Sequence, residues 1–379
     1  MAAPTKKTRP PFGIKHEHSV LVLQGGGALG AYQASVYEGM SERRFAPDWV
    51  AGVSIGAINA ALIAGNPVER RLERLREFWD RVSSGLPLVA PTQLDPLRLA
   101  FARLNASAVV AFGVPGFFVP RVPPPFLAPE GSPEALSIYD NSPLRETLEE
   151  LVDFDFLNKS SGVRLSLGAV NVQTGNSVYF DTGVQQITSS HVMASGSLPP
   201  GFPPTVIDGA HYWDGGIVSN SPLWYVLDDS PRLSALIVQV DLFSARGELP
   251  VNLDQVLERA KDIQYSSKTR FNTNRVRERE AFGQVLGRLL EKMPAKLRND
   301  PDYQQLQPLC RSKREITIVH LINRRSDDST SAKDYEFSRA SVRRLWEAGL
   351  EDVRTSCSHS RWQEARALES GVRVFDLTA

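Results

Sequence analysis

Short apolar runs alternate with helical patterns in the first part of the chain. Val20 to Gln24 (VLVLQ) is one such run, and residues 28–40 after it have a helical pattern. A second run, residues 49–53 (WVAGV), precedes a helical pattern from Ile55 to about Ala64. Short apolar runs bounded by turn residues are typical of strands buried on both faces. Strand, turn and helix, repeated twice, predict βαβ units and a parallel sheet.

The later pattern divides the chain into regions. Further strands are predicted at 163–170, 178–180, 235–241 and 316–322. Apolar residues recur at helical spacing across 253–293, and 335–368 also has a helical pattern. We therefore predict an α/β protein with a central, mainly parallel sheet. It has a flexible tail (1–17), a main domain (18–245) and a mostly helical C-terminal annex (246–379) that adds the strand 316–322.

Residues 85–137 differ from the rest of the main domain. They combine many prolines, among them Pro123 to Pro125, with apolar residues such as Phe112, Phe117, Phe118 and Phe126. So apolar a segment is not an ordinary linker, which would be polar. Two interpretations stay open: an irregular insertion packed on the core, or a lid beside an apolar cleft.

Composition excludes several classes of function. The chain has 379 residues, with 43 basic and 43 acidic side chains. A nucleic-acid-binding protein normally has a basic excess or a basic face, so we expect no nucleic-acid partner. The two cysteines, Cys310 and Cys357, have no spacing typical of a disulfide framework or a zinc site, so we expect no metal and a reducing, cytoplasmic location.

No segment has the pattern of a membrane span or a secretory signal. The N-terminus is polar and basic, and the longest later apolar stretch, Ala108 to Val119, has 12 residues and is interrupted by glycine and proline. A spanning helix needs roughly 20 apolar residues. We expect a soluble protein, or one in transient peripheral contact with the inner membrane face.

Residues 52–56 form the motif G-x-S-x-G, with Ser54 at its centre. The motif lies between the predicted strand 49–53 and the helix that begins at Ile55. At such a turn, Gly52 and Gly56 allow close packing of strand and helix, and the serine hydroxyl is held out at the carboxyl end of the sheet. The alternative is a purely structural role, in which the serine caps the N-terminus of the helix in a tight turn. The context favours a nucleophile.

A run of glycines follows the first predicted strand. Residues 25–30 (GGGALG) could hold a dinucleotide pyrophosphate, but that function needs an acidic residue after the second strand, and Asp48 precedes it. Alternatively, the amides of Gly25, Gly26, Gly27 and Ala28 form an oxyanion hole for a reaction at Ser54. The nearby nucleophile motif favours the oxyanion hole.

Asp214-Gly215-Gly216 is the third motif, and by itself it indicates a turn. Together, GGGALG, GVSIG and DGG have the order and approximate spacing of patatin-like phospholipases. The flanking segments ASGSLPPGFPP (194–204) and DGGIVSNSPL (214–223) also resemble that family. The resemblance covers roughly residues 18–245, and the annex is similar to the helical extension of longer bacterial members.

The resemblance implies a patatin-like three-layer fold and a Ser–Asp dyad. Ser54 would be the nucleophile and Asp214 the general base, with Gly215 and Gly216 in the base loop and the amides of residues 25–28 in the oxyanion hole. Leu29 stands where plant-type members often have arginine, which weakens any role of a basic side chain in holding a phosphate. The resemblance also implies a lipid or other acyl-ester substrate and an acyl-enzyme intermediate.

Several alternatives stay open at this point. A Ser–His–Asp triad would use His191, His211 or His320, each of which is expected to be structural. The cleft could also bind lipid without catalysis, or the same machinery could hydrolyse intracellular polyester oligomers. We expect no metal or organic cofactor. The sequence leaves the oligomeric state and the acyl-chain and head-group preference open.

Overall fold

A central β-sheet organises the protein. The computed structural model describes residues 16–85, 95–229, 234–267, 269–310, 315–324, 331–359 and 371–377. Among these residues, nine strands form one sheet, and β3 and β4 form a small separate pair. The strands are β1 His18–Leu23, β2 Trp49–Val53, β3 Val119–Pro120, β4 Tyr139–Asp140, β5 Arg164–Asn171, β6 Ser177–Asp181, β7 Thr205–Ile207, β8 Ala210–Asp214, β9 Ala235–Asp241, β10 Glu315–Ile322 and β11 Gly371–Asp376.

Most neighbouring strands of the sheet run parallel. The order is β11-β10-β9-β1-β2-β5-β8-β7, with β6 paired to β5. All pairs from β11 to β5 are parallel, whereas β6, β7 and β8 are joined by antiparallel pairs. The predicted mainly parallel sheet is confirmed, and so are the six predicted strands, two of them with the same bounds (49–53 and 235–241).

Helices cover both faces of the sheet. They are α1 Gly30–Ser41, α2 Ile55–Ala64, α3 Val68–Val82, α4 Asp95–Phe112, α5 Ser142–Leu151, α6 Phe154–Lys159, α7 Ser189–Gly196, α8 Leu223–Asp229, α9 Leu253–Tyr265, α10 Thr269–Glu291, α11 Pro301–Leu306 and α12 Arg339–Ser358. Alternate strand residues belong to two separate cores: Leu21 and Leu23 pack with α1, α2 and α12, and Val20 and Val22 pack with α8. Because successive side chains of a strand point to opposite faces, two cores mean a three-layer α/β arrangement.

The Pro- and Phe-rich segment is more regular than expected. It contains the 18-residue helix α4 and two short 3-10 turns, and residues 86–94 lie outside the described part. Phe117 and Phe118 are buried, whereas Phe112 and Phe126 are 80% and 82% exposed. The segment is thus not irregular throughout, since the proline-free stretch 97–112 allows a helix. Both interpretations, a packed insertion and a lid, stay predictions.

The C-terminal annex is part of the same sheet. It contributes β10, as predicted, and also β11, which the sequence analysis missed. Helix α12 packs on α1 at small residues: a Cβ added to Gly349 would lie 2.7 Å from the carbonyl oxygen of Tyr32. Tyr32 also donates a 2.6 Å hydrogen bond to Asp352. Of the predicted N-terminal tail, residues 1–15 lie outside the described part.

Candidate active site

The register of the sheet brings Ser54 and Asp214 together. Strand β2 pairs with β5 up to the couple Val53–Gly168, and Ser54 follows Val53 directly. On β5 the next residue, Ala169, pairs with Asp214 of β8. Since β6 occupies the other edge of β5 over Ser166–Val170, β8 must continue along the same edge as β2. Two residues 160 positions apart are therefore neighbours at the carboxyl end of the parallel strands.

Ser54 lies at a strained turn between β2 and α2. Its φ of 57° and ψ of −126° lie in a region that side chains other than glycine rarely adopt. Its N–H donates to the hydroxyl of Ser195 at 3.1 Å, and that hydroxyl donates to Gly168 O at 2.6 Å. The turn is thus held by hydrogen bonds from α7 and β5.

The two glycines of the motif are required by close backbone packing. A Cβ on Gly52 would lie 2.2 Å from the carbonyl oxygen of Gly56, and one on Gly56 would lie 2.4 Å from Leu23 O. Real Cβ atoms do not approach backbone oxygens so closely. The motif therefore fits the strand–turn–helix context in which a nucleophilic serine is found.

Asp214 is buried at the base of the same cavity. The residue is 1% exposed, and burial raises the pKa of its carboxyl group to about 7. One oxygen, Oδ1, accepts a 2.7 Å hydrogen bond from the N–H of Gly216. Oδ2 is buried and has no hydrogen bond of ordinary geometry to the described residues. The Ser54 hydroxyl lies within reach of this carboxylate and lowers its pKa, but burial outweighs that contact.

Gly215 and Gly216 fix the position of the Asp214 carboxylate. A Cβ on Gly215 would lie 2.6 Å from Gly168 O, so only glycine lets the loop close against β5. The N–H of Gly216 is one of the two contacts that favour the ionised form of Asp214. Both residues lie where the DGG motif places them.

The glycine run lies beside Ser54, but its four amides are not equivalent. The N–H of Gly25 donates to the carbonyl oxygen of Asn220 at 3.1 Å. That amide is not available to a substrate, so the prediction for Gly25 is corrected. The N–H groups of Gly26, Gly27 and Ala28 open a 3-10 turn, where a helix has no internal acceptor, and they have no backbone partner among the described residues.

The cavity around these residues is mainly aromatic. Ser54, Asp214, Gly25, Gly26 and Gly27 all line it. Aromatic side chains form much of the remaining wall: Phe117, Phe118, Tyr139, Phe202, Phe243, Tyr265, Tyr335 and Phe337. Such a wall suits an apolar ligand beside a few polar groups.

Sequence reasoning missed the contribution of the annex to this cavity. Tyr265, Asp334, Tyr335 and Phe337 all come from the annex and line the cavity. Asn220, also in the wall, lies in the family-like segment 214–223, from which no role for this side chain was predicted. The pattern SNSP after DGG was a signal for Asn220, whereas the aromatic residues of the annex have no local signature.

The residues of the competing hypotheses lie elsewhere. No histidine is found among the described residues that line the cavity. His320 bonds to Gln239 at 2.8 Å within the sheet, and His191 caps the start of α7 through Thr188. Asp48 forms a 3.0 Å hydrogen bond with His18, where β1 begins. The glycine run follows the other end of β1, so Asp48 lies at the opposite end of the strands. The geometry favours neither a triad nor a dinucleotide site.

Comparison with known families decides the relationship. The family model described as patatin-like phospholipase matches residues 21–227, more than half of the chain. This chain belongs to the patatin-like phospholipase family. The resemblance found in the three motifs is thereby confirmed. A second model, described as patatin phospholipase, matches residues 263–368, within the annex of this patatin-like protein.

Individual relatives are distant. The cGAMP-activated phospholipase of Escherichia coli (strain TW11681) is 26% identical in an alignment of 227 residues that covers 54% of this chain and 53% of that protein. This patatin-like chain thus spans about half the length of the curated relative it matches. Among solved structures, VipD from Legionella pneumophila is 15% identical, with a TM-score of 0.31, and the match covers 87% of this chain and 67% of VipD. ExoU of Pseudomonas aeruginosa, in complex with SpcU, is 16% identical, with a TM-score of 0.28 and coverages of 68% and 50%.

Within the described residues, no group of three or more His, Cys, Asp or Glu side chains is arranged to hold a metal ion. None of the helices in those ranges is long and apolar enough to cross a bilayer.

Proposed function

We propose that this protein is a serine hydrolase of acyl esters that uses Ser54 as its nucleophile. The observation that carries the proposal is the placement of Ser54, at a strained turn, beside the buried carboxyl group of Asp214. In the reaction, Ser54 Oγ attacks the ester carbonyl, and the alcohol leaves with a proton. Water then attacks the acyl-enzyme and releases the carboxylic acid.

Asp214 is the general base of the proposed reaction. An aspartate with an ordinary pKa near 4 accepts a hydroxyl proton poorly. The pKa of about 7 makes the ionised carboxylate a stronger base that is still available at neutral pH. Only one of its oxygens is bonded to Gly216, so Oδ2 is left to receive the proton from Ser54.

The amides of Gly26, Gly27 and Ala28 form the proposed oxyanion hole. Gly26 and Gly27 line the cavity next to Ser54, and Ala28 follows them directly. All three N–H groups lack backbone acceptors in the described ranges. Each donor aimed at the developing negative oxygen can contribute about 3–4 kcal/mol to catalysis. Helix α2 begins directly after Ser54, and the positive end of its dipole adds to this stabilisation.

Acyl lipids are the proposed substrates. The aromatic wall offers an apolar surface for an acyl chain, and the curated relative is named as a phospholipase. Exposed apolar residues on the segment near the cavity, such as Phe112, Val122 and Phe126, support transient contact with a lipid surface. Segment 85–137 is accordingly proposed as a lid.

Two other functions use the same cavity. A polyester oligomer would present the same ester bond to Ser54, and the apolar wall would accept its carbon chain as well. A lipid-binding module without catalysis would not need the raised pKa of Asp214 or the strained turn at Ser54, and these two features favour the enzyme.

A panel of esters tests the proposal. Purified protein should release product from p-nitrophenyl esters and free fatty acid from lysophospholipid, phospholipid or acylglycerol vesicles. The Ser54→Ala variant should be inactive, and Ser358→Ala, which changes an exposed serine on α12, should match the wild type. Binding of lipid vesicles without turnover of any ester would indicate the catalytically idle module.

The pH dependence of the reaction follows from the base. Because only the ionised carboxylate of Asp214 can accept the proton, kcat/KM should rise about tenfold per pH unit below pH 7. It should level off above about pH 8, since roughly nine-tenths of the base is then ionised. Initial rates with a p-nitrophenyl ester between pH 4.5 and 9 measure this, and a profile that is flat down to pH 5 would count against a base with a raised pKa.

A further inference from the structure

We propose that Asn220 is a positioning residue that ties the C-terminal annex to the glycine run and so sets the geometry of the oxyanion hole. The inference rests on the proposed function, because it concerns the amides that would stabilise the reaction at Ser54. The annex then positions the glycine run in addition to lining the cavity.

Asn220 forms hydrogen bonds with both the N–H group and the carbonyl oxygen of Gly25. Its Nδ2 donates to Gly25 O at 3.0 Å, and its own carbonyl oxygen accepts from Gly25 N at 3.1 Å. Asn220 is 8% exposed, so water competes little for these bonds. The start of the glycine run is therefore fixed by one residue of the loop that follows Asp214.

The same carboxamide also reaches the annex. Asn220 Nδ2 donates to the carbonyl oxygen of Tyr265 at 2.9 Å, at the carboxyl end of α9. Gln24, which precedes the run, donates to the same oxygen at 2.9 Å. The last carbonyl of α9 therefore accepts two side-chain amide hydrogen bonds. One comes from Gln24, directly before the glycine run, and the other from Asn220, which contacts Gly25.

Gln24 extends this connection into the sheet. Its Oε1 accepts from the N–H groups of Leu242 and Phe243 at 2.6 and 3.0 Å, after the end of β9. Gln24 is fully buried, and its own carbonyl accepts a 2.7 Å bond from Gln33 of α1. The peptide units on the N-terminal side of Gly26 thus have little freedom to rotate.

The annex contacts the glycine run at a second point. Gly27 has a φ of +55°, and a Cβ there would lie 2.3 Å from the carbonyl oxygen of Asp334. Asp334 is held by an ion pair of 2.6 Å with Lys261 of α9. The run is therefore confined between Asn220 on one side and Asp334 on the other, and both contacts lead to α9.

Asn220 acts through these bonds and not on the substrate. Its donor hydrogens are used by two carbonyl oxygens, so they are not directed at a reacting atom. Loss of the donors would let the peptide units at Gly25 and Gly26 rotate and misdirect the amides of Gly26 to Ala28. Misplacement of catalytic groups by about 1 Å can lower a rate by about 100-fold.

Asn220→Asp and Asn220→Ser are the variants that test the role. Aspartate keeps the size of the side chain but replaces the donor by an oxygen that faces two carbonyl oxygens. Serine avoids the new charge and keeps one hydroxyl donor that is too short to reach both. For each we expect kcat/KM with a p-nitrophenyl ester to fall about 10- to 100-fold while KM changes by less than about threefold.

The affinity for a trifluoromethyl ketone is a quantity that would not change if the role of Asn220 were purely structural. Ser54 Oγ adds to the ketone carbon, Asp214 takes the hydroxyl proton, and the carbonyl oxygen becomes the alkoxide that the oxyanion hole binds. If Asn220 positions that hole, affinity for the ketone should fall by the same factor as kcat/KM in each variant. Asn176→Asp, at an exposed position of the β5–β6 turn, is the matched control and should change neither quantity.

Each outcome decides between positioning and structure. Folded variants with wild-type kcat/KM and ketone affinity would overturn the proposal, and so would failure of both variants to fold, which would make Asn220 a structural residue. Failure of the proposed function is distinguishable, because the wild type itself would then neither hydrolyse the ester nor bind the ketone.

Discussion

Replacement of Asp214 by asparagine is expected to lower kcat by about 10⁴-fold or more, in line with the loss of an essential acid–base group. Asparagine fills the same volume and can still accept from Gly216 N–H, so the fold should be preserved. It cannot take the proton of Ser54. Initial rates with a p-nitrophenyl ester, normalised to folded protein, measure the loss.

The same substitution should stabilise the protein at alkaline pH. Burial raises the pKa of Asp214 from 3.8 to about 7, so between these values the folded state keeps a proton that the unfolded state has lost. Stability therefore falls as the pH rises through this window, and the cost is complete above about pH 7. A shift of this size corresponds to roughly 4 kcal/mol at most. Asp214→Asn removes this cost.

Urea unfolding at pH 5 and pH 8.5 checks the stability of the variant. Relative to the wild type, Asp214→Asn should gain more at pH 8.5 than at pH 5. Asp208→Asn, which neutralises an exposed carboxylate in the β7–β8 turn, is the control and should keep both activity and stability. An Asp214→Asn protein that retains a tenth of wild-type kcat, or that is less stable at pH 8.5, would contradict the assignment of the base.

Gly56→Ala is expected to prevent folding or to lower the free energy of unfolding by more than about 4 kcal/mol. The added Cβ would lie 2.4 Å from Leu23 O and 2.7 Å from Gln24 O, and both are backbone atoms that cannot move alone. To make room, α2 would have to move away from β1, which would disrupt the largest core of the protein.

Yield of folded protein and thermal unfolding measure the effect of Gly56→Ala. The control is Gly287→Ala in α10, where the nearest atom to the new Cβ is Cys310 Cβ, at an ordinary 3.7 Å. Alanine is favoured over glycine in helices by about 1 kcal/mol, so Gly287→Ala should be neutral or slightly stabilising. Equal unfolding temperatures for the two variants would show that the turn at Ser54 can accommodate a Cβ for which the structure leaves no room.

The sequence predicted the elements that carry the motifs. Strand β2 and helix α2 were predicted with the bounds that the structure has, since their apolar runs are bounded by turn residues on both sides. Ser54 and Asp214 could be paired because family motifs have a fixed order along the chain. Periodicity alone did not predict the pairing, which depends on the registers of β2 and β8 along the same edge of β5.

Other parts could not be predicted from local pattern. Strand β11 (GVRVFD) mixes apolar and charged residues at a sheet edge and lacks the long apolar run of a buried strand. The amide of Gly25 was expected to face the substrate, whereas it bonds to Asn220, almost 200 residues away. The positions of Tyr265 and Asp334 in the cavity depend on how the annex packs on the main domain. Local composition does not predict such long-range contacts.

The most direct test of the central claim is reaction with a fluorophosphonate, followed by intact-mass measurement and peptide mapping. One adduct per chain, on Ser54, is expected, with labelling at least about 1,000-fold slower in Asp214→Asn because the base is missing. No adduct under conditions in which the protein is folded, or an adduct on another serine, would contradict a reaction that begins with Ser54 and Asp214.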